Sequence, residues 1–88
     1  MDSDELVDLA AEVGTRQEFI DFLQALSNNL IKHSEDWENT TIETYLDGIR
    51  RWTISAENYY KNFDIPIDCD FPSWRLFAEI LLAASVYE

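Results

Sequence analysis

The sequence predicts an all-α fold, a small helical bundle in a single domain that covers residues 1–88. Apolar residues recur at helical spacing in several segments, and hydroxyl residues stand before the main ones as candidate N-caps. Only two glycines and two prolines interrupt 88 residues, so the elements are expected to be long. A hydrophobic content of 47%, with three Trp, four Tyr and five Phe, provides a dense core and excludes a disordered acidic tail.

The first 14 residues form an acidic lead segment, predicted as a short N-terminal helix that ends at Gly14. Its apolar positions at helical spacing are Leu6, Leu9, Ala10 and Val13. The first main helix is predicted over 15–33, because Thr15 and Glu18 match a capping box. One apolar stripe then follows over three turns, at Phe19, Phe22, Leu23, Leu26 and Leu30.

Two further main helices are predicted over 41–62 and 73–87. Thr40 and Glu43 repeat the capping-box pattern before the first of these, and either a kink at 53–55 or a restart with Ser55 as a new N-cap is expected. Its apolar stripe comprises Ile42, Tyr45, Leu46, Ile49, Trp52, Ala56, Tyr59 and Phe63. The last helix, after Ser73 as N-cap, is apolar on nearly every face. It is therefore expected to be central and buried, covered by the two earlier helices.

Eighteen acidic and six basic residues give a net charge of −12, which argues against nucleic-acid binding and favours a basic protein partner. The charge is concentrated in 1–14 (−5), 33–44 (−4) and 63–73 (−3). An up-down-up bundle is expected to bring the first and last of these segments to one end, with a combined −8. Acids before helix N-termini are also favoured by the helix dipole, so capping and solubility explain them equally well.

The residues offer little for catalysis, and we expect no enzyme activity and no cofactor. His33, the one histidine, stands at a helix end, and the acids beside Cys69 are expected to raise its thiol pKa. Asp64, Asp68 and Asp70 lack the spacing and glycine of an EF-hand loop, so no metal site is expected.

The compartment is expected to be the cytoplasm. Residues 1–5 are acidic, unlike the basic start of a signal peptide, and one cysteine allows no internal disulfide. The longest strongly apolar stretch, 80–86, is too short to span a bilayer, so no membrane association is expected.

Two aromatic residues are candidates for a partner surface. Tyr60 falls off the stripe that holds Tyr59, so it is expected at the boundary of the core, partly buried or exposed to a partner. Trp37, in an acidic loop, either closes the end of the bundle or anchors a partner. With the acids, the candidate partner-binding residues are Asp4, Glu5, Asp8, Glu12, Trp37, Glu38, Tyr60, Asp64, Asp68 and Asp70.

Four segments between Thr15 and Glu88 resemble an uncharacterised family of small acidic bacterial proteins. They are 19–23 (FIDFL), 37–40 (WENT), 58–62 (NYYKN) and 73–78 (SWRLFA), the last leading into 82–84 (LAA) and 87–88 (YE). The resemblance implies a small helical domain and no assigned activity.

A second resemblance concerns the class of protein. Size, acidity and helical content are similar to those of immunity proteins that neutralise nuclease toxins. The Tyr59-Tyr60 pair beside acids resembles the recognition segment of colicin-nuclease immunity proteins, with Lys61 in place of the proline found there.

The expected function is therefore a protein-binding inhibitor or immunity-type protein that masks a basic bacterial toxin or nuclease. The alternative is a non-enzymatic structural or regulatory module whose acidity serves solubility. The chain is expected to be a monomer or a homodimer.

Overall fold

A computed structural model describes residues 3–87, which form four α-helices and no strand. They are α1 (Ser3–Glu12), α2 (Arg16–Lys32), α3 (Ile42–Asn62) and α4 (Trp74–Ala84), with a 3₁₀ turn at Ser34–Asp36. The all-α class and the count of three main helices plus a short N-terminal one are confirmed. For the three main helices, the predicted end of α3 at residue 62 is exact, the other bounds differ by one residue, and α4 ends at Ala84 rather than at residue 87.

Helix α4 is the centre of the fold, as predicted, because it packs against α1, α2 and α3. Helices α1 and α2 also pack together, but α3 comes within 8 Å, between Cα atoms, of neither α1 nor α2. One core cluster joins α1, α2 and Ala78 of α4, and a second joins α3 and Leu76 of α4. Among residues 3–87, every helix is too short or too polar to cross a bilayer.

The predicted Thr15 cap of α2 is confirmed, but the Glu18 side chain bonds the backbone N–H of Gly14 instead of that of Thr15. The Thr15 hydroxyl accepts from the Glu18 backbone N–H at 3.1 Å, and the Glu18 carboxylate accepts from the Gly14 N–H at 3.0 Å. The predicted cap of α3 was wrong by one residue. Thr41, not Thr40, is the N-cap, and its hydroxyl accepts from the Thr44 N–H at 3.1 Å, so Thr44 takes the role predicted for Glu43.

Helix α3 runs unbroken through 53–55, where a kink or a restart was predicted. The Thr53 hydroxyl donates to the Ile49 carbonyl at 2.6 Å, so this polar group is satisfied within the helix. The face that α3 buries also differs from the predicted stripe. Its buried residues are Gly48, Trp52, Ala56 and Tyr60, a row at i, i+4, i+8 and i+12.

The acidic lead segment is a packed helix, since Leu6, Ala10 and Val13 are at most 3% exposed. Its N-terminal half lies beside the C-terminal end of α4, because Leu6 lines a cleft together with Asp36 and Val86. Helix α1 therefore runs antiparallel to α4, and ten residues spread its acids over about 15 Å. With α1 antiparallel to α4, Asp4 and Glu5 lie toward loop 34–39, whereas Glu12 lies toward the start of α4, which follows loop 63–73. The predicted sharing of −8 between 1–14 and this loop stays a prediction, and Asp2 lies outside the described residues.

The loop before α3 holds the C-terminal end of α4. The Asn39 side-chain amide donates to the carbonyls of Ala84 (2.8 Å) and Tyr87 (2.7 Å), and the backbone N–H groups of Glu38 and Asn39 both donate to the Ser85 carbonyl. These bonds supply donors to carbonyl groups that accept no N–H from within the helix.

Gly48 allows this close approach, and Gly48→Ala is expected to lower the free energy of unfolding by about 1–3 kcal/mol. An added Cβ would stand 2.9 Å from the Ala84 carbonyl oxygen and 3.0 Å from the Asn39 amide nitrogen. Helix propensity alone would favour alanine by about 1 kcal/mol. In urea denaturation, Gly14→Ala is the control, since its Cβ would meet only Glu18 at 3.6 Å. Stabilisation by Gly48→Ala would contradict the close approach.

Asn39→Asp is expected to cost more, about 2–3 kcal/mol, because a carboxylate cannot donate and adds negative charge beside helix carbonyls. Asn58→Asp makes the same change at an exposed site of α3 and is expected to have a small effect. The loss at Asn39 should shrink at acidic pH, where a protonated carboxyl donates one bond. Equal effects of the two substitutions would contradict the capping role of Asn39.

Candidate functional site

A groove between α1 and α3 leaves one face of α4 open to solvent, with a volume of about 200 Å³. We call it the α1–α3 groove. The lining residues fall into four groups: Leu6, Val7 and Ala10 of α1; Trp52 and Tyr59 of α3; Glu79, Leu82, Ala83 and Val86 at the floor; and Asn29, Asp36, Trp37 and Ser85 at one end.

The groove exists because α4 is apolar all round while α1 and α3 do not meet over it. Four floor residues, from Glu79 to Val86, recur at i, i+3, i+4 and i+7, which is one continuous face. This face runs for about 10 Å along α4. Val7 and Val86 remain 52% and 54% exposed at its sides, so the groove carries apolar surface that the described fold does not cover.

The size of the groove favours side chains of a partner over a small molecule. Small-molecule sites usually measure about 300–1,000 Å³, whereas this groove measures about 200 Å³. A volume of that size fits one or two apolar side chains. The open form and the length along α4 are typical of a site for a helix or an extended segment.

The electrostatics of the groove are acidic. Asp36 and Glu79 line it directly, and no lysine or arginine stands among the described residues that do so, although Arg75 Nε lies 3.3 Å from Glu79 Oε1 and offsets the charge of Glu79. Asp4 lies one turn before Val7, on the same side of α1, because residues three apart are neighbours on a helix. At about 100° per residue, Glu5 and Glu12 point to the other side of α1, away from the groove. Only part of the predicted acidic surface therefore belongs to this site.

Tyr60 is not available to a partner, which corrects the prediction. It is 1% exposed, and its hydroxyl donates to Glu79 Oε1 at 2.8 Å. The same oxygen accepts from Arg75 Nε at 3.3 Å. The cause is the crossing of α3 over α4 along Trp52 and Tyr60, which turns Tyr59 outward into the groove instead.

Burial, and secondly the bond to Glu79, raise the pKa of the Tyr60 phenol far above its usual value. Desolvation by burial also raises the pKa of Tyr45 to about 12. The Tyr45 hydroxyl donates to the Leu81 carbonyl at 2.7 Å, so both phenols tie α3 to α4 in their neutral form.

Trp37 closes the end of the core, as one of its two interpretations predicted. Its indole N–H donates to Asn29 Oδ1 at 2.8 Å, and its ring centroid lies 5.9 Å from that of Tyr45. The ring packs against the cluster of α1 and α2 and is only half-buried, so one edge contributes to the groove. Trp37 is therefore not a free anchor for a partner.

The remaining predicted acids have local roles at other places. Asp64 adopts φ 53°, the left-handed region, where the Ile65 N–H donates to the Tyr60 carbonyl at 2.9 Å and ends α3 in a Schellman motif. Asp68 accepts from the Asp70 N–H at 2.9 Å, and both are exposed. Glu38 is exposed beside the end of α4. None of these four acids lines the groove.

Asp68 and Asp70 line a separate cleft of about 390 Å³ with Cys69 and Glu57. Burial raises the pKa of the Cys69 thiol, and the charges of Glu57, Asp68 and Asp70 raise it further. The predicted effect of the flanking acids is confirmed, although burial is the larger cause. A thiol of raised pKa is a weak nucleophile at neutral pH.

His33, Glu35 and Asp36 place one possible metal-ligand atom each within 4.8 Å of one another. His33 Nδ1 lies 3.7 Å from the Glu35 carboxylate. Both acids are exposed, and exposed acidic groups of this kind are common without an ion.

Sequence reasoning missed most of the groove. Val7 lies off the Leu6–Ala10–Val13 row, and Val86 was expected inside the last helix. One feature of the sequence pointed to the groove. A helix that is apolar on every face needs neighbours on every side, so three neighbouring helices leave apolar surface open wherever two of them do not meet.

Stability at alkaline pH tests the buried phenols. Unfolded tyrosine ionises near pH 10, whereas Tyr45 and Tyr60 resist ionisation in the fold. Their contribution is therefore complete below about pH 10 and is lost as pH rises toward their folded pKa values. Urea denaturation across this range should show a fall in the free energy of unfolding that is shallower in the Tyr45→Phe/Tyr60→Phe variant.

Tyr59→Phe, at an exposed tyrosine, is the control, and its free energy of unfolding should fall as that of wild type does. An identical slope in all three proteins would contradict the assignment.

Comparison with known proteins bears on the chain as a whole. Comparisons with curated proteins and with solved structures found no match. The model of a family of unknown function, DUF7660, matches residues 15–88. This range covers α2, α3 and α4, and with them the floor and one wall of the groove, while α1 precedes it. Since the match covers most of the chain, the protein belongs to the DUF7660 family of unknown function.

Proposed function

We propose that the chain is a binding module that holds an apolar segment of a basic protein in the α1–α3 groove. Its role in the cell is then that of an inhibitor or immunity-type protein that masks a basic toxin or nuclease. The observation that carries the proposal is the combination of an open apolar floor with an acidic lining, in a chain of net charge −12.

The two components of the groove have different effects on binding. Acids around a site speed the diffusional encounter with a basic partner and make it sensitive to salt. Apolar side chains that insert into a desolvated pocket supply most of the affinity. Nucleases are basic because their substrate is a polyanion, so an acidic protein competes with that substrate by charge.

A second function, that of a structural or regulatory module acting as a homodimer, is favoured by a different observation. Apolar side chains of α3 outside the α1–α3 groove are also exposed, among them Ile42 at 80% and Leu46 at 58%. They lie at or beside a groove whose described lining residues are uncharged, so this surface favours a partner that is not basic.

A designed peptide tests the chemistry of the groove. We expect an amphipathic helical peptide with leucines on one face and lysines on the other to bind, and its glutamate counterpart not to bind. Val7→Lys should weaken peptide binding at least tenfold, about 1.4 kcal/mol, because it puts a cation on the wall of the groove. Ile54→Lys makes the same change on the outer face of α3, where Ile54 is 71% exposed, and should leave affinity nearly unchanged.

Fluorescence anisotropy of the labelled peptide at two salt concentrations gives these affinities. Higher salt is expected to weaken binding, mainly through a slower association rate. Equal binding of the lysine and glutamate peptides, or equal losses in the Val7 and Ile54 variants, would contradict the proposal.

The immunity role has its own test. If the gene beside this one encodes a basic nuclease, the purified product should lose DNA hydrolysis on addition of an equal amount of this protein. Val7→Lys should restore hydrolysis and Ile54→Lys should not. Peptide binding without nuclease inhibition would contradict the immunity role while supporting the binding module.

A further inference from the structure

A second groove, between the C-terminal half of α2 and the start of α3, has an uncharged lining among the described residues. We call it the α2–α3 groove; its volume is about 300 Å³. None of the described residues that line it is charged, although the chain carries eighteen acids. Its apolar lining comes from both helices and includes Leu23, Leu26 and Leu30 of α2 and Ile42 and Tyr45 of α3.

Large apolar side chains project beside this groove. Ile42 is 80% exposed, and Leu46, one turn further along α3, is 58% exposed. Leu23, on the opposite wall, is 39% exposed. The patch therefore contains both a hollow and the projecting side chains that could fill one. Monomeric proteins rarely leave large contiguous apolar surface uncovered.

We propose that a second copy of this chain docks here in a two-fold symmetric dimer, with Ile42 and Leu46 of each copy entering the α2–α3 groove of the other. A two-fold interface uses the same patch on both copies, so the patch must be complementary to itself. In this patch, the projecting side chains and the groove that would receive them lie side by side. Two chains of charge −12 repel each other over most of their surface, and an uncharged patch is where they approach at least cost.

The charges that flank Leu46 support the same occupant. Glu43 precedes Leu46 by three residues and Arg50 follows it by four, so both neighbour it on the helix surface. If two α3 helices cross antiparallel near Leu46, Glu43 of one copy faces Arg50 of the partner subunit, and the reverse pair forms by symmetry. Arg50 now pairs with Asp47 at 3.3 Å on an exposed surface, a weak interaction that is readily exchanged.

The area that a dimer needs is a modest share of the surface of the chain. A stable interface takes about 800 Å² from each partner, roughly an eighth of the 6000 Å² surface of this chain. The α1–α3 groove lies along a different side of α3, lined by Trp52 and Tyr59. The proposed dimer and the proposed binding of a basic protein therefore use different residues of α3, while Trp37 lines both grooves.

Sedimentation equilibrium over a range of concentrations tests the dimer. Wild type is expected to reach twice the monomer mass, with a Kd in the micromolar range. Leu46→Glu should give a monomer, whereas Ile54→Glu, with the same change at a 71% exposed position outside the patch, should still dimerise. Circular dichroism establishes that both variants remain helical, as expected for substitutions at exposed sites.

Charge reversal tests the orientation. Glu43→Arg and Arg50→Glu should each weaken the dimer roughly tenfold or more, since each reversal acts twice in a symmetric interface. The double variant should recover wild-type affinity. A monomeric wild type at every concentration, dissociation by Ile54→Glu as strong as by Leu46→Glu, or a double variant no better than the single ones would overturn the proposal. Binding of the lysine peptide in the α2–α3 groove of a monomeric protein would overturn it too, in favour of a different partner.

Discussion

The C-terminal end of α4 is held by the segment that precedes α3, and the rest of the fold depends on this contact. Helix carbonyls at a C-terminus need outside donors, and Asn39 and the backbone at Glu38 supply them. Gly48 is the reason the two elements come so close. The contact sets the position of α3 along α4, and therefore the row of α3 residues that is buried.

That row decides which side chains remain for function. With Trp52, Ala56 and Tyr60 turned toward α4, Tyr59 turns toward the gap beside α1. Because α3 touches α4 but neither α1 nor α2, two faces are left open, one on each side of α3. An acidic lining on one side and an uncharged lining on the other give the two grooves different chemistry. Under the two proposals, a basic segment binds in the first groove and a second acidic chain docks at the second.

Sequence reasoning recovered the helices and much of their capping, but only part of the candidate site. Apolar spacing and the hydroxyl caps Thr15 and Ser73 are local signals, readable within one turn. Tyr60 was misplaced because Tyr59 and Tyr60 differ by only about 100° on the helix. Which of the two faces the core depends on how α4 crosses α3, and that crossing depends on contacts between distant segments, such as Gly48 with Ala84. Which acids of α1 lie near which loop depends in the same way on tertiary packing, because α1 lies antiparallel to α4.

The sequence by itself determined the all-α class, the order and approximate limits of the helices, the central position of α4 and the strongly acidic character. These properties follow from the spacing of apolar residues, which can be read over a few turns, and from the overall composition, which is a sum over residues. Only the tertiary structure decided that Tyr60 is buried, that Asp64 ends α3 in a left-handed turn, and that open grooves lie on both sides of α3. Those outcomes depend on contacts between segments far apart in the chain, such as Asn39 with Ala84, whose geometry is a property of the packed helices together.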